Sequence, residues 1–278
     1  MGELIYAIII GIIQGLTEFL PISSTAHMTI VAKLLGSKAF SDPKVWTATM
    51  ATIQLGTLAS LLYYFRKDLR SIGKSFLTER PSYAKVAVQV ASPEAKLGWM
   101  IAIGSVPIFF FGYFLQEFIE GEFTKSLWTI SISLVAVALI MLLAERIGKF
   151  SKSTNDITAF EAFLIGIAQA LALIPGVSRS GATITTGLLL GMKRDEAAKF
   201  SFLLSIPAVF VSGLYEFIYH FELISKQNLT FLFVSLIFAF LSGVFAINFL
   251  LKFLKTKSTL VFIVYRIVLG LVIIAFLL

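Results

Sequence analysis

The sequence predicts an all-α polytopic membrane protein, an inverted-topology repeat with six transmembrane helices plus two re-entrant helical hairpins. Three observations predict it. Hydrophobic residues make up 58% of the 278 and charged ones 14%, with a mean hydropathy of +0.90, whereas a soluble domain carries roughly a quarter charged residues. Two Pro-containing polar turns, about 155 residues apart, interrupt apolar stretches and echo each other. Basic residues concentrate in alternate loops, as the positive-inside rule requires of a multi-pass chain.

The first element, 4–36, is apolar but broken by Gly11-Ile-Ile-Gln14-Gly-Leu-Thr-Glu18-Phe-Leu-Pro21-Ile-Ser23-Ser24-Thr25-Ala-His27. Each half is shorter than the roughly 20 residues a span needs, so the segment should enter and leave on one side. Spans follow near 45–65, 97–117 and 126–144. The second broken element, 157–191, contains Gly166-Ile-Ala-Gln169-Ala-Leu-Ala-Leu-Ile-Pro175-Gly-Val-Ser178-Arg179-Ser180-Gly181-Ala-Thr183. Spans near 199–219, 229–250 and 259–278 complete the chain. Residues 1–150 and 151–278 are then two repeats of one integral membrane domain, each a hairpin plus three spans. Gly and Gln align at one offset, and Pro and the following Ser at an offset one residue shorter. Gly11, Gly15, Gly166, Gly181, Gly187 and Gly191 suit close helix packing. Packing of that kind permits a homodimer, although no face is singled out.

Loop 66–96 carries Arg66, Lys67, Arg70, Lys74, Arg80, Lys85 and Lys96, and loop 145–156 carries Arg146, Lys149 and Lys152. Lys193, Arg194 and Lys199 lie in 192–199, and Lys252, Lys255 and Lys257 in 251–258. The alternate loops hold only Lys38, Lys44, Lys125 and Lys226, and 117–125 is acidic with Glu117, Glu120 and Glu122. The four basic loops are therefore expected in the cytoplasm. That orientation makes the first hairpin dip in from outside and the second from inside; eight full spans with kinks are the alternative. The net charge of +7 then reflects topology and an anionic substrate or lipid, with no nucleic acid as partner. Absence of cysteine excludes disulfides and thiolate metal sites, and His27 and His220 match no zinc-ligand spacing. The N-terminal residues lack a basic region and cleavage site, so no removable signal peptide is expected.

The two turns hold most of the intramembrane polar chemistry. Gln14 and Glu18 share one helix face at i,i+4, and Pro21 ends that helix. Ser23, Ser24 and Thr25 are cap candidates for the returning helix, with His27 on its first turn. In the second turn Pro175-Gly176 makes the break, Ser178 and Ser180 are caps, Arg179 adds a fixed charge, and Thr183 follows one turn later. Helix N-termini, hydroxyls and an Arg suit a phosphate or diphosphate. Intramembrane Arg and Glu are costly enough that a site is the default expectation. The blander alternatives are serines acting only as caps, Glu18 and Arg179 as a structural ion pair, His27 bonding a carbonyl, and His220 interfacial.

These two segments closely resemble the signature motifs of the bacterial undecaprenyl-diphosphate phosphatase, or bacitracin-resistance, family, and the resemblance covers essentially the full chain. It implies hydrolysis of undecaprenyl diphosphate to undecaprenyl phosphate and inorganic phosphate, which recycles the lipid carrier for peptidoglycan and cell-wall synthesis. It further implies a plasma (inner) membrane protein whose site faces the extracytoplasmic side and depends on a divalent cation such as Mg²⁺ or Ca²⁺. Gln14 and Glu18 match the family's (Glu/Gln)-x-x-x-Glu pair, here in the Gln form. Ser23, Ser24 and His27 match its Ser-Ser-x-x-His segment, and Arg179 the Arg of its Ser-Arg-Ser-Gly segment.

The expected division of labour follows. Arg179 and the turn N–H groups bind the diphosphate with Ser23, Thr25, Ser178, Ser180 and Thr183, while Glu18, with Gln14 or phosphate oxygens, holds the metal ion. Ser24 is the candidate nucleophile, with His27 as its base or as the acid for the leaving group. In the rival scheme Glu18 or His27 activates water directly. A carrier-lipid flippase with the same midplane site is the alternative function, because broken helices in inverted repeats are also a transporter design. A structural or signalling role leaves the buried Arg and Glu unexplained.

Overall fold

A computed structural model describes residues 2–34, 43–79, 92–115, 126–219 and 229–278. Lys38, Arg80, Lys85, the acidic stretch 117–125, His220, Lys226 and the end of the first hairpin (35–36) lie outside the described residues. Within them the chain is helical, with one isolated bridge between Lys152 and Met192.

The first broken segment forms α1 (Gly2–Phe19) and α2 (Ser24–Leu34). Next come α3 (Pro43–Tyr64), α4 (Arg66–Thr78), α5 (Pro93–Phe114) and α6 (Leu127–Ile147). The second broken segment forms α7 (Ala159–Leu171) and α8 (Arg179–Leu189). It is followed by α9 (Arg194–Tyr219), α10 (Leu229–Leu254) and α11 (Leu260–Leu277). Among the described residues, six helices are long and apolar enough to cross a membrane: α3, α5, α6, α9, α10 and α11. With 11, 13 and 11 residues, α2, α7 and α8 reach only about 17–20 Å at 1.5 Å per residue, well short of a ~30 Å hydrocarbon core.

Local signals explain the boundaries. Ser92 caps α5 by accepting from Ala95 N at 3.2 Å, with Pro93 at the first helical position. A Thr158–Glu161 capping box starts α7, with bonds of 3.2 and 2.9 Å. Helix α4 was not expected within the basic loop. Its apolar residues Leu69, Ile72 and Phe76 recur at helical spacing and pack on α5, where Phe76 meets Trp99 with ring centroids 4.7 Å apart.

Helix pairing puts α1 on α10, α10 on α3, α3 on α9, α5 on α7, and α6 on α11. Glycines set the closest approaches. A Cβ at Gly11 would lie 2.4 Å from the Ser235 carbonyl oxygen of α10, and one at Gly166 would lie 2.2 Å from the Gly104 carbonyl oxygen of α5. The central core includes Phe19, Phe65, Met100, Met141, Ile184 and Phe202, with Phe19 edge-on to Phe202 at 5.3 Å.

The four basic loops gather at one end. Arg194 bridges Glu145 at 2.6 Å and lies over the Phe150 ring at 3.8 Å. Thr259 N donates to Glu145 at 2.7 Å, Lys199 pairs with Asp68 at 2.8 Å, and Lys96 donates to the Asn155 carbonyl at 2.5 Å. This end is tied together by bonds between segments distant in sequence.

Candidate active site

Both broken helices restart from a serine in a left-handed backbone: Ser23 has φ 75° and Ser178 has φ 69°. A non-glycine residue in this region costs about 1–3 kcal/mol and persists where its surroundings over-determine it. Each serine repays part of that cost as an N-cap, Ser23 Oγ accepting from Ala26 N at 3.4 Å and Ser178 Oγ from Gly181 N at 3.2 Å. Structurally, therefore, Ser23 corresponds to Ser178, not Ser24. The caps keep the offset of Gly11/Gly166 and Gln14/Gln169, and the second turn carries one more residue between Pro and cap. Gly176, at φ 88°, supplies the extra bend.

The two turns meet at Glu18. Gln14 Nε2 donates to Glu18 Oε2 at 2.8 Å, and Ser24 Oγ donates to the same oxygen at 2.7 Å. From the other turn, Arg179 forms an ion pair with Glu18 Oε1. Glu18 is 7% exposed and Gln14 fully buried, so this pair sits where charge is tolerated only when matched. Glu18, Ser23, Ser24 and Thr25 line a cavity of about 710 Å³ together with Ser178 and Arg179, a size typical of small-molecule sites. Its remaining walls come from the end of α7 and the turn after it (Gln169, Leu173), the N-terminal end of α3 (Trp46, Met50) and the C-terminal ends of α5 (Phe109, Tyr113) and α9 (Val211, Tyr215), and are mostly apolar.

Other expected residues support the turns from behind. Ser180 Oγ donates to the Leu20 carbonyl at 3.2 Å and lies 3.2 Å from Ser178 Oγ. Thr183 Oγ1 donates to the Arg179 carbonyl at 2.8 Å and pairs with Ser201 Oγ at 2.6 Å. His27 and Ser24 are not brought together. The His27 Nδ1 faces the Ser23 carbonyl at 2.7 Å, so it carries the hydrogen, which leaves Nε2 to accept from the Tyr265 hydroxyl at 2.5 Å.

Two residues of α11 escaped the sequence analysis. Tyr265 is the His27 partner, and Arg266 is a fully buried guanidinium. Arg266 donates to Pro21 O at 3.2 Å in the first turn and to Gly176 O and Val177 O at 2.9 and 3.0 Å in the second. It also reaches Leu134 O and Ser133 O of α6 at 3.2 and 3.4 Å. Among the described residues its partners are all main-chain carbonyls. A lone Arg inside the last apolar run was the available signal.

The constellation is suited to phosphoryl chemistry: a serine hydroxyl held by a carboxylate, a guanidinium, and two helix N-termini, all beside an amphiphilic cavity. Comparison with known proteins points the same way. The profile of the Bacitracin resistance protein BacA family matches residues 7–272. An undecaprenyl-diphosphatase of Syntrophobacter fumaroxidans is 46% identical over 268 residues, covering 96% of this chain and 95% of the relative. One of Myxococcus xanthus is 46% identical over 271 residues (96% and 87%), and one of Chlorobium luteolum is 47% identical over 280 residues (96% and 94%).

Proposed function

This chain belongs to the bacitracin resistance protein BacA family, and from that premise we infer how it works and where. It is a multi-pass membrane hydrolase that converts undecaprenyl diphosphate to undecaprenyl phosphate and inorganic phosphate. That activity serves peptidoglycan synthesis and bacitracin resistance. The flippase alternative is not favoured.

The observation that carries the mechanism is the Ser24–Glu18–Arg179 constellation joining the two turns. In our proposal the diphosphate enters the cavity with its terminal phosphoryl group at Ser24 and its polyprenyl chain along the apolar wall of α3, α5 and α9. Arg179, the hydroxyls of Ser23, Thr25 and Ser178, and the N–H groups opening α2 and α8 bind the phosphate oxygens. Ser180 and Thr183 fix the backbone that carries Arg179. Ser24 Oγ attacks the terminal phosphorus. The Oγ–P bond forms as the bond to the bridging oxygen breaks, and that electron pair leaves with undecaprenyl phosphate. The hydroxyl proton passes to Glu18 Oε2, its hydrogen-bond acceptor. Water then cleaves the phosphoserine; Glu18 returns its proton to Oγ, and one proton of the water is released to solvent.

A divalent cation such as Mg²⁺ or Ca²⁺ fits the donor set at Glu18 and Gln14. The buried Gln14 Oε1 has no hydrogen-bond partner among the described residues, and carboxylate and amide oxygens are the ligands a hard cation takes. When bound, such an ion neutralises charge on the transferred phosphoryl.

The cavity is walled by the ends of α3, α5 and α9 that point away from the stitched basic loops. The positive-inside rule applied to those loops supports a site facing the extracytoplasmic side of the bacterial plasma (inner) membrane. Support for the inverted repeat comes from helix pairing: exchanging α1 for α7 and α10 for α5 turns one contact into another. The glycine contacts lie within one chain, so the expected homodimer would need another face, and light scattering in detergent would detect it.

The test is phosphate release from a long-chain polyprenyl diphosphate by the purified chain in detergent, with and without divalent cation. Release should require the cation and fall by orders of magnitude in Ser24→Ala, Glu18→Ala and Arg179→Ala. Substantial turnover by Ser24→Ala would overturn the covalent mechanism.

A further inference from the structure

Gln169 is fully buried on α7, yet among the described residues neither its Oε1 nor its Nε2 has a hydrogen-bond partner. It also lines the cavity that holds Glu18, Ser24 and Arg179. A buried amide unsatisfied at both ends is costly in any interior and more so within a membrane. Its persistence calls for a partner that arrives from the cavity.

The relation between the two turns shows why Gln169 is free. Gln14 and Gln169 occupy corresponding positions, each nine residues before a serine cap with left-handed backbone. In the first segment the residue one helical turn on is Glu18, which accepts from Gln14. In the second, the residue one turn on is Leu173, which lines the cavity and offers no acceptor. The same side chain is therefore committed to a carboxylate in one turn and left open in the other.

We propose that Gln169 is a further substrate-binding residue, its side-chain amide hydrogen-bonding a phosphate oxygen of the diphosphate between the two turns. The assignment rests on the cavity described above being where the diphosphate binds. The chemistry favours a phosphate. The Nε2 hydrogens need an anionic or strongly polar acceptor, which a polyprenyl tail lacks. Arg179 and Ser178, at the α8 N-terminus, line the same cavity and make it attractive to anions. The Oε1 can take a hydrogen from a protonated phosphate oxygen or from water bound with it.

Gln169→Leu tests this in the purified full-length chain, because it keeps the bulk and removes both polar ends. Three quantities are read: binding of a non-hydrolysable polyprenyl methylenediphosphonate, kcat and KM with polyprenyl diphosphate, and the thermal midpoint in detergent. The expected result is binding about 10- to 100-fold weaker, the span for one hydrogen bond to a charged group. An equal fall in kcat/KM should be carried mainly by KM. The midpoint should stay at or above wild type, since no internal hydrogen bond is lost. Wild-type binding and turnover in Gln169→Leu would overturn the assignment, as would losses accompanied by a lowered midpoint. Arg179→Ala is the parallel arm. If it binds the analogue as tightly as wild type, the diphosphate does not bind between the turns and both readings fail. If it binds weakly while Gln169→Leu binds normally, only the Gln169 assignment falls.

Discussion

Replacing Arg266 with methionine should uncouple the two turns. Methionine matches the apolar stem but removes the guanidinium that joins Pro21 O to Gly176 O and Val177 O. These three carbonyls lie in turns, whereas Ser133 and Leu134 belong to the regular helix α6. Each buried carbonyl left without a donor costs about 1–3 kcal/mol, so the three sum to about 3–9 kcal/mol. Part of this returns, because methionine need not be stripped of water as an ion must. A net loss of about 3–5 kcal/mol is in line with breaking other buried charged networks. Intrinsic fluorescence from the three tryptophans during heating in detergent measures the stability, and phosphate release measures the site. The midpoint should fall by several degrees, and turnover by more than tenfold, since Ser24 and Arg179 no longer share one frame. Arg266→Lys separates charge from geometry: a single ammonium cannot span both turns as a planar fork does, so it should recover only part of each loss. Wild-type midpoint and turnover in Arg266→Met would refute the reasoning.

Two further outcomes are expected. His27→Ala should retain far more turnover than Ser24→Ala, because both His27 ring nitrogens are engaged by Ser23 and Tyr265; equal loss of phosphate release in the two variants would restore His27 as the base. Gly166→Leu should separate α7 from α5, since even its Cβ would lie 2.2 Å from the Gly104 carbonyl oxygen. Overpacking of this kind costs about 1–3 kcal/mol or more. Gly73→Ala, where a Cβ meets nothing within 4 Å, is the matched control, and both are read as thermal midpoints in detergent.

Much of the fold was legible because a membrane imposes its demands on composition and length. The six spans, both breaks and the basic loops follow from hydropathy, proline and lysine alone, with ends shifted by a few residues, as where Ser92-Pro93 starts α5 earlier than expected. Helix α4 was missed because the search was for spans, while its 69/72/76 apolar spacing marks a helix lying along other helices. At the site, Gln14, Glu18, Ser24 and Arg179 stood out as candidates because polar groups are costly in a membrane, and the structure brings them into contact. Sequence spacing suggested that His27 serves Ser24. In three dimensions the first turn of α2 points the imidazole towards α11, a helix more than 230 residues later whose approach no local pattern encodes. The serine correspondence was also off by one residue, because it followed the prolines, whereas backbone handedness follows the caps.

The bonds that tie the basic end together have a kinetic consequence. Glu145, Arg194, Thr259, Lys199 and Asp68 tie together segments from across the chain, and the cavity opens among the opposite ends of α3, α5 and α9. The ties and the cavity thus lie at opposite ends of the same helices. If substrate, dephosphorylated lipid and free phosphate all pass through the cavity end, each departing product occupies the doorway the next substrate needs. Inhibition by either product should therefore compete with substrate, and turnover at saturation should be governed by how quickly the doorway clears.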